Sequence, residues 1–157
     1  MAYYAQLQGH EFVHQAISDP KIRELVEALY FKEVGPLLDI PAPFDLREYG
    51  QELLARFNNP DLPHRLDQIA MDGSVKVPHR FLGYIEQSAT LQLALRAWLH
   101  YMWLGLSGAK SYKISDPNTA SLKELLSNDY QETVKRWLKS LGWEFSPGVL
   151  QGLLEPF

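Results

Sequence analysis

The 157-residue sequence contains no cysteine, and this absence excludes disulfide bonds and thiolate metal sites. It also lacks an uninterrupted apolar run of membrane-spanning length, because the longest apolar stretch, from Leu91 to Leu106, contains Gln92, Arg96 and His100. Positive charge is not in excess either, since the net charge is −4 and the pI is near 5.7. We therefore expect neither nucleic acid nor a membrane as a partner, because both nucleic acid and anionic lipid attract clustered positive charge.

Sequence motifs of several enzyme classes are also missing. The chain has no Gly-x-Ser-x-Gly nucleophile elbow, no P-loop and no glycine-rich dinucleotide fingerprint, so nothing predicts nucleotide binding by these residues alone. The first residues, Met1 to Gln6, show neither the basic nor the apolar region of a secretory signal. The default expectation is a cytoplasmic protein.

What the sequence does contain is helical periodicity in a composition typical of globular proteins, with 46% hydrophobic and 22% charged residues. Apolar spacing and capping residues predict helices over residues 22–34, 45–57, 64–71, 122–126, 130–141 and 147–154. A helix over 91–106 is apolar on nearly every side, which is typical of the centre of a bundle. No segment alternates like a strand. The prediction is an all-α domain of eight or nine helices, with no linker that would divide it.

The first predicted helix covers residues 2–17 and begins without a capping residue, as though the chain started in the middle of a helix. On that helix His10 and His14 would share one face, but a third metal ligand is not obvious. Surface or interface histidines are favoured over a metal site. His100, in the most apolar helix, is interpreted as a core histidine that shares a hydrogen bond with a neighbouring carbonyl.

The sequence Ile-Ser-Asp-Pro occurs twice, at residues 17–20 and 114–117. In the first copy Ser18 or Asp19 can cap a helix whose first turn contains Pro20. Because the flanking residues do not repeat, we interpret the second copy as a second good helix start and not as an internal repeat.

Residues 68–80 combine two structure breakers with a dense set of polar groups, in the sequence Gln-Ile-Ala-Met-Asp-Gly-Ser-Val-Lys-Val-Pro-His-Arg. Gly73 permits a turn, because it has no Cβ. Pro78 biases Val77 towards an extended conformation and suits the start of a new helix that continues to Ile85. The polar side chains around this corner either form one wall of a binding site or belong to a turn that has only a structural role.

Four side chains of this segment are candidates for substrate binding. Lys76 follows the predicted turn, where an ammonium group could meet a carboxylate or a hydroxyl, and Gln68 could reach the same pocket. His79 and Arg80 would lie at the start of the next helix, where the backbone N–H dipoles add to a positive field. From the residues alone, a binding role and a solvent-exposed loop without function are supported equally.

The motifs that extend beyond this corner are Ala2 to Glu11, Asp19-Pro20, Glu33-Val34, Arg56-Phe-Asn-Asn-Pro60, His64 and Ile114-x-Asp-Pro117. Together with residues 68–80, they resemble the carboxy-terminal domain of the mannitol dehydrogenase family, the long-chain polyol-specific dehydrogenases. The similarity is greatest to the branch of the fructuronate (mannonate) and tagaturonate reductases.

This resemblance implies a helical substrate domain related to that of 6-phosphogluconate dehydrogenase, preceded by a Rossmann domain that binds NAD or NADP. It also implies a catalytic Lys-x4-Asn-x2-His just before the segment matched by Ala2, and the sequence contains neither that signature nor a cofactor-binding motif. Gln68 and Lys76 match positions that contact the sugar chain or acid. Relatives that act on neutral polyols tend to have arginine at the position of Gln68.

The leading hypothesis is that residues 1–157 form one substrate-binding helical domain, truncated at its amino-terminal edge, of an NAD(P)-dependent polyol or sugar-acid oxidoreductase. Gln68, Lys76, His79 and Arg80 are its predicted substrate-binding residues. No catalytic, cofactor-binding or metal-binding residue is assigned, and we expect no activity from the chain alone. The alternative is a non-enzymatic helical module, which binds a separate Rossmann-domain chain or a second copy of itself, or an inert remnant of a truncated gene.

Overall fold

The chain folds into ten α-helices and no sheet in a computed structural model that describes residues 1–157. A π-helical segment, Leu29–Glu33, continues α3, and short 3₁₀ turns occur at Gly35–Leu37 and Ile85–Gln87. The α-helices are α1 Ala2–Leu7, α2 Val13–Ser18, α3 Pro20–Ala28, α4 Leu46–Phe57, α5 Leu66–Ile69, α6 Gly73–Arg80, α7 Ala89–Leu106, α8 Thr119–Glu124, α9 Tyr130–Leu141 and α10 Pro147–Leu153. The predicted all-α class is confirmed.

Helix α7 is the central element of the fold. It contacts α1, α3, α9 and α10, and it contributes Leu95, Trp98 and Leu99 to the core with no exposed surface. Its sequence is apolar around most of the helix because neighbours cover most of its circumference. The helix predicted over residues 91–106 is therefore confirmed. None of the helices combines the length and the apolar character that a membrane crossing requires.

Side-chain caps mark the starts of several helices where the sequence predicted them. Asp19 accepts a hydrogen bond from Lys21 N at 2.9 Å at the start of α3. Asp45 accepts one from Arg47 N at 2.8 Å at the start of α4. These carboxylates satisfy N–H groups that have no acceptor inside the helix, and they also interact favourably with the helix dipole.

The amino-terminal region departs from the predicted single helix. α1 ends at Leu7, Gly9 adopts a left-handed conformation with φ 89°, and a second helix begins at Val13. The segment between the two helices pairs with the segment before α5, since Val13 N donates to His64 O at 3.0 Å. The prediction of one helix over residues 2–17 is wrong because Gly9 reverses the chain and this pairing satisfies the freed backbone groups. α1 has no side-chain cap, as the sequence indicated.

A second long-range contact fixes the start of α7. Glu33 accepts hydrogen bonds from the Ser88 hydroxyl, from Thr90 N at 3.0 Å and from Thr90 Oγ1 at 2.9 Å. Burial alone would raise the pKa of Glu33, but these hydrogen bonds outweigh it, and the pKa lies below its ordinary value. The end of the π-helical segment is thereby joined to the first turn of α7.

Candidate functional site

Residues 68–80 form a helical corner in which α5 ends, Asp72 adopts a left-handed conformation with φ 59°, and α6 begins at Gly73. The prediction that a helix opens at Pro78 is wrong, since Pro78 lies inside α6. Val77, expected to be extended, is helical and only 1% exposed. Burial of the Val77 side chain outweighs the local bias that a following proline imposes.

Gly73 is required at this corner by close packing. A Cβ at Gly73 would come within 2.5 Å of the Tyr3 hydroxyl and still closer to Trp98 Nε1. The Tyr3 hydroxyl donates a hydrogen bond to Ala70 O at 3.1 Å and so holds the end of α5. Burial raises the pKa of Tyr3 and keeps this phenol protonated. The inner side of the corner is therefore packed against the core.

A carboxylate from a distant segment anchors the first turn of α6. Asp116 Oδ2 accepts a hydrogen bond from Ser74 N at 2.8 Å, and Asp116 Oδ1 accepts one from Ser74 Oγ at 2.6 Å. The Asn118 side-chain amide donates to the same Ser74 Oγ at 2.9 Å, and Asp72 N donates to Ser115 O at 2.9 Å. Because first-turn N–H groups have no intrahelical acceptor, Asp116 acts as a cap supplied from outside the helix.

The two Ile-Ser-Asp-Pro copies differ in role, although their sequences are identical. Asp19 caps the helix that follows it, as predicted. The second copy also precedes a helix, α8, but Asp116 directs its carboxylate to Ser74 of α6 as well as to the local Asn118 N, which donates at 3.0 Å. The second copy and the start of α6, which lie about forty residues apart in the chain, thus belong to one hydrogen-bonded network.

Gln68 and Lys76 lie on the exposed side of the corner. Gln68 is exposed on α5, and its side chain forms no hydrogen bond within the protein. Lys76 is half-buried; its Nζ donates to Met71 O at 2.7 Å and lies 3.9 Å from Asp72 Oδ2. The ammonium group is folded back over the turn, so a ligand carboxylate would compete with the Met71 carbonyl for it.

His79 and Arg80 lie in the last turn of α6, and not in the first turn of a following helix as expected. The carbonyl groups at a helix end present partial negative charge, so no helix dipole adds to the charge of these two side chains here. Arg80 lines a cavity of about 370 Å³ that includes none of the other three predicted residues. The remaining lining residues of this cavity are Leu29, Tyr30, Val34, Gly35, Leu38, Phe81 and Leu91.

A second polar cavity lies where α4 ends and α5 begins. Its volume is about 320 Å³, and Arg56 and His64 line it together with Val13, Phe57 and Ile69. Both polar residues were named among the family-like motifs, but no binding role was predicted for them. The signal that could have found them is an arginine twelve residues and a histidine four residues before Gln68, which the end of α4 and the following loop bring to one cavity.

An apolar cavity of about 190 Å³ adjoins this polar one, and the Phe57 ring borders both. Its lining is apolar except for Thr90. The lining residues are Met1, Tyr4, Ile22, Leu25, Val26, Leu29, Tyr30, Phe57, Phe81, Thr90, Leu91, Leu93 and Ala94.

The other histidines do not form the arrangements that the sequence suggested. His10 lies in the break between α1 and α2, where its Nε2 is 3.4 Å from Asp19 Oδ2, while His14 lies in α2 and stacks on Phe12. The shared helix face expected for His10 and His14 therefore does not form. His100 is half-buried against Trp103, but its Nδ1 has no hydrogen-bond partner, so the expected carbonyl contact is absent. Burial, with a smaller effect of the nearby Arg96 charge, lowers the pKa of His100.

Comparison with known proteins identifies relatives of the whole fold. Residues 1–149 match the family model described as mannitol dehydrogenase C-terminal domain. The D-mannonate oxidoreductase of Escherichia coli K12 is 32% identical over 132 residues, which cover 80% of this chain and 27% of that protein.

Two solved structures share the fold. Mannitol 2-dehydrogenase of Pseudomonas fluorescens, in a ternary complex with NAD and D-mannitol, superposes with a TM-score of 0.84 at 26% identity over 98% of this chain and 33% of that one. A substrate-free D-sorbitol dehydrogenase superposes with a TM-score of 0.78 at 18% identity over 98% of this chain and 34% of that one, which shows likeness of fold only. The chain thus spans between 27% and 34% of the length of these relatives.

Proposed function

The chain belongs to the mannitol dehydrogenase C-terminal domain family, and from that premise we propose that it is the substrate-binding helical part of an NAD(P)-dependent polyol or sugar-acid oxidoreductase. The observation that carries the proposal is the family match over residues 1–149, together with the structural likeness to an enzyme crystallised with NAD and D-mannitol. The proposed location is the cytoplasm.

Within this proposal the substrate is a sugar acid of the fructuronate, tagaturonate or mannonate type. The D-mannonate oxidoreductase relative supports this class. Gln68 and Lys76 are the proposed substrate contacts on the corner, and His79 and Arg80 are proposed to contribute positive charge nearby.

The residues of this chain do not fit a nicotinamide dinucleotide. Its fold contains no sheet, so no glycine-rich turn between a strand and a helix is available to hold a pyrophosphate. The sequence also contains no Lys-x4-Asn-x2-His to transfer a proton at the reacting carbon. We therefore propose that the chain binds substrate but does not turn it over alone, because hydride positioning and proton transfer depend on groups that it does not contain.

An assay and a binding experiment test the two halves of this proposal. The purified chain is incubated with fructuronate, tagaturonate or mannitol and with each nicotinamide cofactor, and turnover is followed through the absorbance of the reduced nicotinamide. No turnover is expected, together with saturation-transfer NMR signals from bound sugar acid. Robust turnover would overturn the proposed inactivity, and the absence of binding to every sugar acid and polyol would overturn the substrate-binding role.

The alternative function, a non-enzymatic helical interaction module, is favoured by one observation. The apolar cavity bordered by Met1, Tyr4 and Phe81 could receive one or two apolar side chains of a second chain. A separate nucleotide-binding chain or a second copy of this chain would be its partner. Sedimentation analysis over a wide concentration range separates the alternatives, since a monomer at every concentration that nevertheless binds sugar acid contradicts self-association.

A further inference from the structure

The polar cavity at the end of α4 is bordered by an arginine and a histidine, whereas the cavity lined by Arg80 has an arginine alone. Arg56 and His64 approach it from two separate elements, while its other lining side chains, Val13, Phe57 and Ile69, are apolar. We propose that Arg56 and His64 form a carboxylate subsite that selects sugar acids over neutral polyols, an inference that rests on the proposed function above.

The first argument is that Arg56 has no partner in the protein, in contrast to a neighbouring arginine. Arg65 donates through Nε to Asp67 Oδ1 at 3.1 Å, so its charge is already compensated. The Arg56 guanidinium lies within 4.0 Å of no carboxylate, although Glu52 precedes it by one helical turn. A guanidinium with free donors is suited to bidentate binding of a ligand carboxylate.

The second argument is that rigid backbone holds both residues in place. Arg56 belongs to the last turn of α4, which Asn58 N closes by donating to Leu54 O at 3.0 Å. His64 O accepts a hydrogen bond from Val13 N at 3.0 Å. Ligand binding therefore requires ordering of the two side chains but not of their backbone, which keeps the entropic cost of binding low.

The backbone dipole does not favour an anion here, and this makes the side chains decisive. The carbonyl groups of the last turn of α4 present partial negative charge towards the cavity end of the helix. Recognition of a carboxylate must therefore come from the Arg56 guanidinium, with an imidazole N–H of His64 as a second donor. Removing the positive charge of Arg56 should leave the subsite without attraction for an anion.

The third argument is the position of the cavity relative to the proposed substrate contacts. Ile69 lines the cavity, and the preceding residue on α5 is Gln68. Phe57 separates this cavity from the apolar one that Met1 borders. A carboxylate at Arg56 would thus lie beside the residue that follows Gln68 on α5, although Gln68 itself does not line this cavity. The volume of about 320 Å³ is within the range of small-molecule sites.

The test uses D-mannonate and D-mannitol, which differ only in a carboxylate or a hydroxymethyl group at C1. Dissociation constants for the full chain are measured by ¹H–¹⁵N NMR titration. We expect tighter binding of mannonate than of mannitol, and a loss of at least tenfold in mannonate affinity in Arg56→Gln, with mannitol affinity changed less than twofold. Arg56→Lys should recover part of the loss, and His64→Ala should weaken mannonate by about threefold.

The matched control is Arg136→Gln, which removes an exposed arginine of α9 that does not line the cavity. It should leave both affinities unchanged, and circular dichroism checks that each variant is folded. If the wild-type chain binds mannonate and Arg56→Gln binds it equally well, the carboxylate subsite is refuted while the proposed function stands. If the wild-type chain binds neither ligand, the substrate-binding function itself is refuted, and the subsite with it.

Discussion

The two sides of the α5–α6 corner contrast within one short segment. On the inner side Gly73 and Ser74 are buried; Gly73 packs against the core, and Ser74 is bonded to Asp116. On the outer side Gln68 is exposed without a hydrogen bond, and Lys76 contacts only the neighbouring turn, at Met71 O and Asp72. The inner residues are explained by packing and helix capping, whereas the outer residues have no comparable structural role.

This contrast matters because the same short motif supplies both sides. A short polar run such as Asp72-Gly-Ser is easily taken as a binding signature, but here Gly73 and Ser74 fix the helix start. Two apolar side chains on the outer face are also exposed, Ile69 at 41% and Val75 at 46%. Ligand or partner contacts are therefore expected at the outer face, and substitutions on the two sides should have different consequences.

The largest effect should follow Gly73→Ala, because the added methyl group would overlap the Tyr3 hydroxyl and Trp98 Nε1. We expect a loss of about 3 kcal/mol in the free energy of unfolding, measured by urea denaturation. Gly148→Ala is the control, since a Cβ there meets nothing within 4 Å and the substitution favours helix. Equal stability of Gly73→Ala and wild type would show that the inner side is not tightly packed.

A smaller loss should follow Asp116→Ala, which leaves the Ser74 N–H and hydroxyl without their acceptor. We expect a loss of about 2 kcal/mol in the free energy of unfolding, measured in the same way. Asp39→Ala removes an exposed carboxylate elsewhere and should change stability little. If the two variants were equally stable, Asp116 would not be an anchor of α6.

Glu33→Gln tests whether the same kind of anchor acts outside the corner, at the start of α7. The folded-state pKa of Glu33 lies below its ordinary value of 4.5. Its stabilisation is therefore present above the unfolded-state pKa and disappears as the pH falls through the folded-state pKa. We expect a loss of about 1 kcal/mol at neutral pH, since Glu33 is only half-buried, and a smaller loss in acid.

The measurement is the free energy of unfolding of wild type and Glu33→Gln as a function of pH. Glu24→Gln, which changes an exposed glutamate on α3, provides the baseline. A difference between Glu33→Gln and wild type that does not shrink below pH 4.5 would contradict the linkage to this carboxylate.

The smallest effect on stability should follow Lys76→Met on the outer side. The exposed contacts of Lys76 with Met71 O and Asp72 are expected to contribute no more than about 0.5 kcal/mol. Binding of sugar acid, measured by NMR titration, should nevertheless weaken at least tenfold if Lys76 contacts the substrate. Lys123→Met, which changes an exposed lysine of α8, should change neither quantity. Unchanged binding in Lys76→Met would remove Lys76 from the proposed site.

Much of the fold could be predicted because its signals are local. Asp45 caps α4 and Gly142 ends α9 with φ 69°, and both helices occupy the predicted residues. The errors occur where distant contacts compensate for a local preference. Val77 precedes a proline and is still helical because it is buried. The segment around His10 leaves the helix because it pairs with residues before α5.

The candidate site was predictable only in part for the same reason. Gln68 and Lys76 were predicted from the motif and stay a prediction, and the structure leaves both on the accessible side of the corner. Arg56 and His64 could not be paired from their spacing, because their approach to one cavity depends on where α4 ends and how the following loop folds back. The position of His79 and Arg80 at a helix end likewise could not be predicted, because it depends on where α6 begins.

By itself, the sequence determined the helical class, the central apolar helix and the family, because periodicity, capping residues and short motifs are properties of neighbouring residues. Tertiary structure alone decided that Asp116 anchors Ser74, that Gly73 packs against Trp98, and that Arg56 and His64 line one cavity. These contacts join segments whose separation along the chain carries no information about their distance in space. Only the packing of the helices brings such groups within reach of one another.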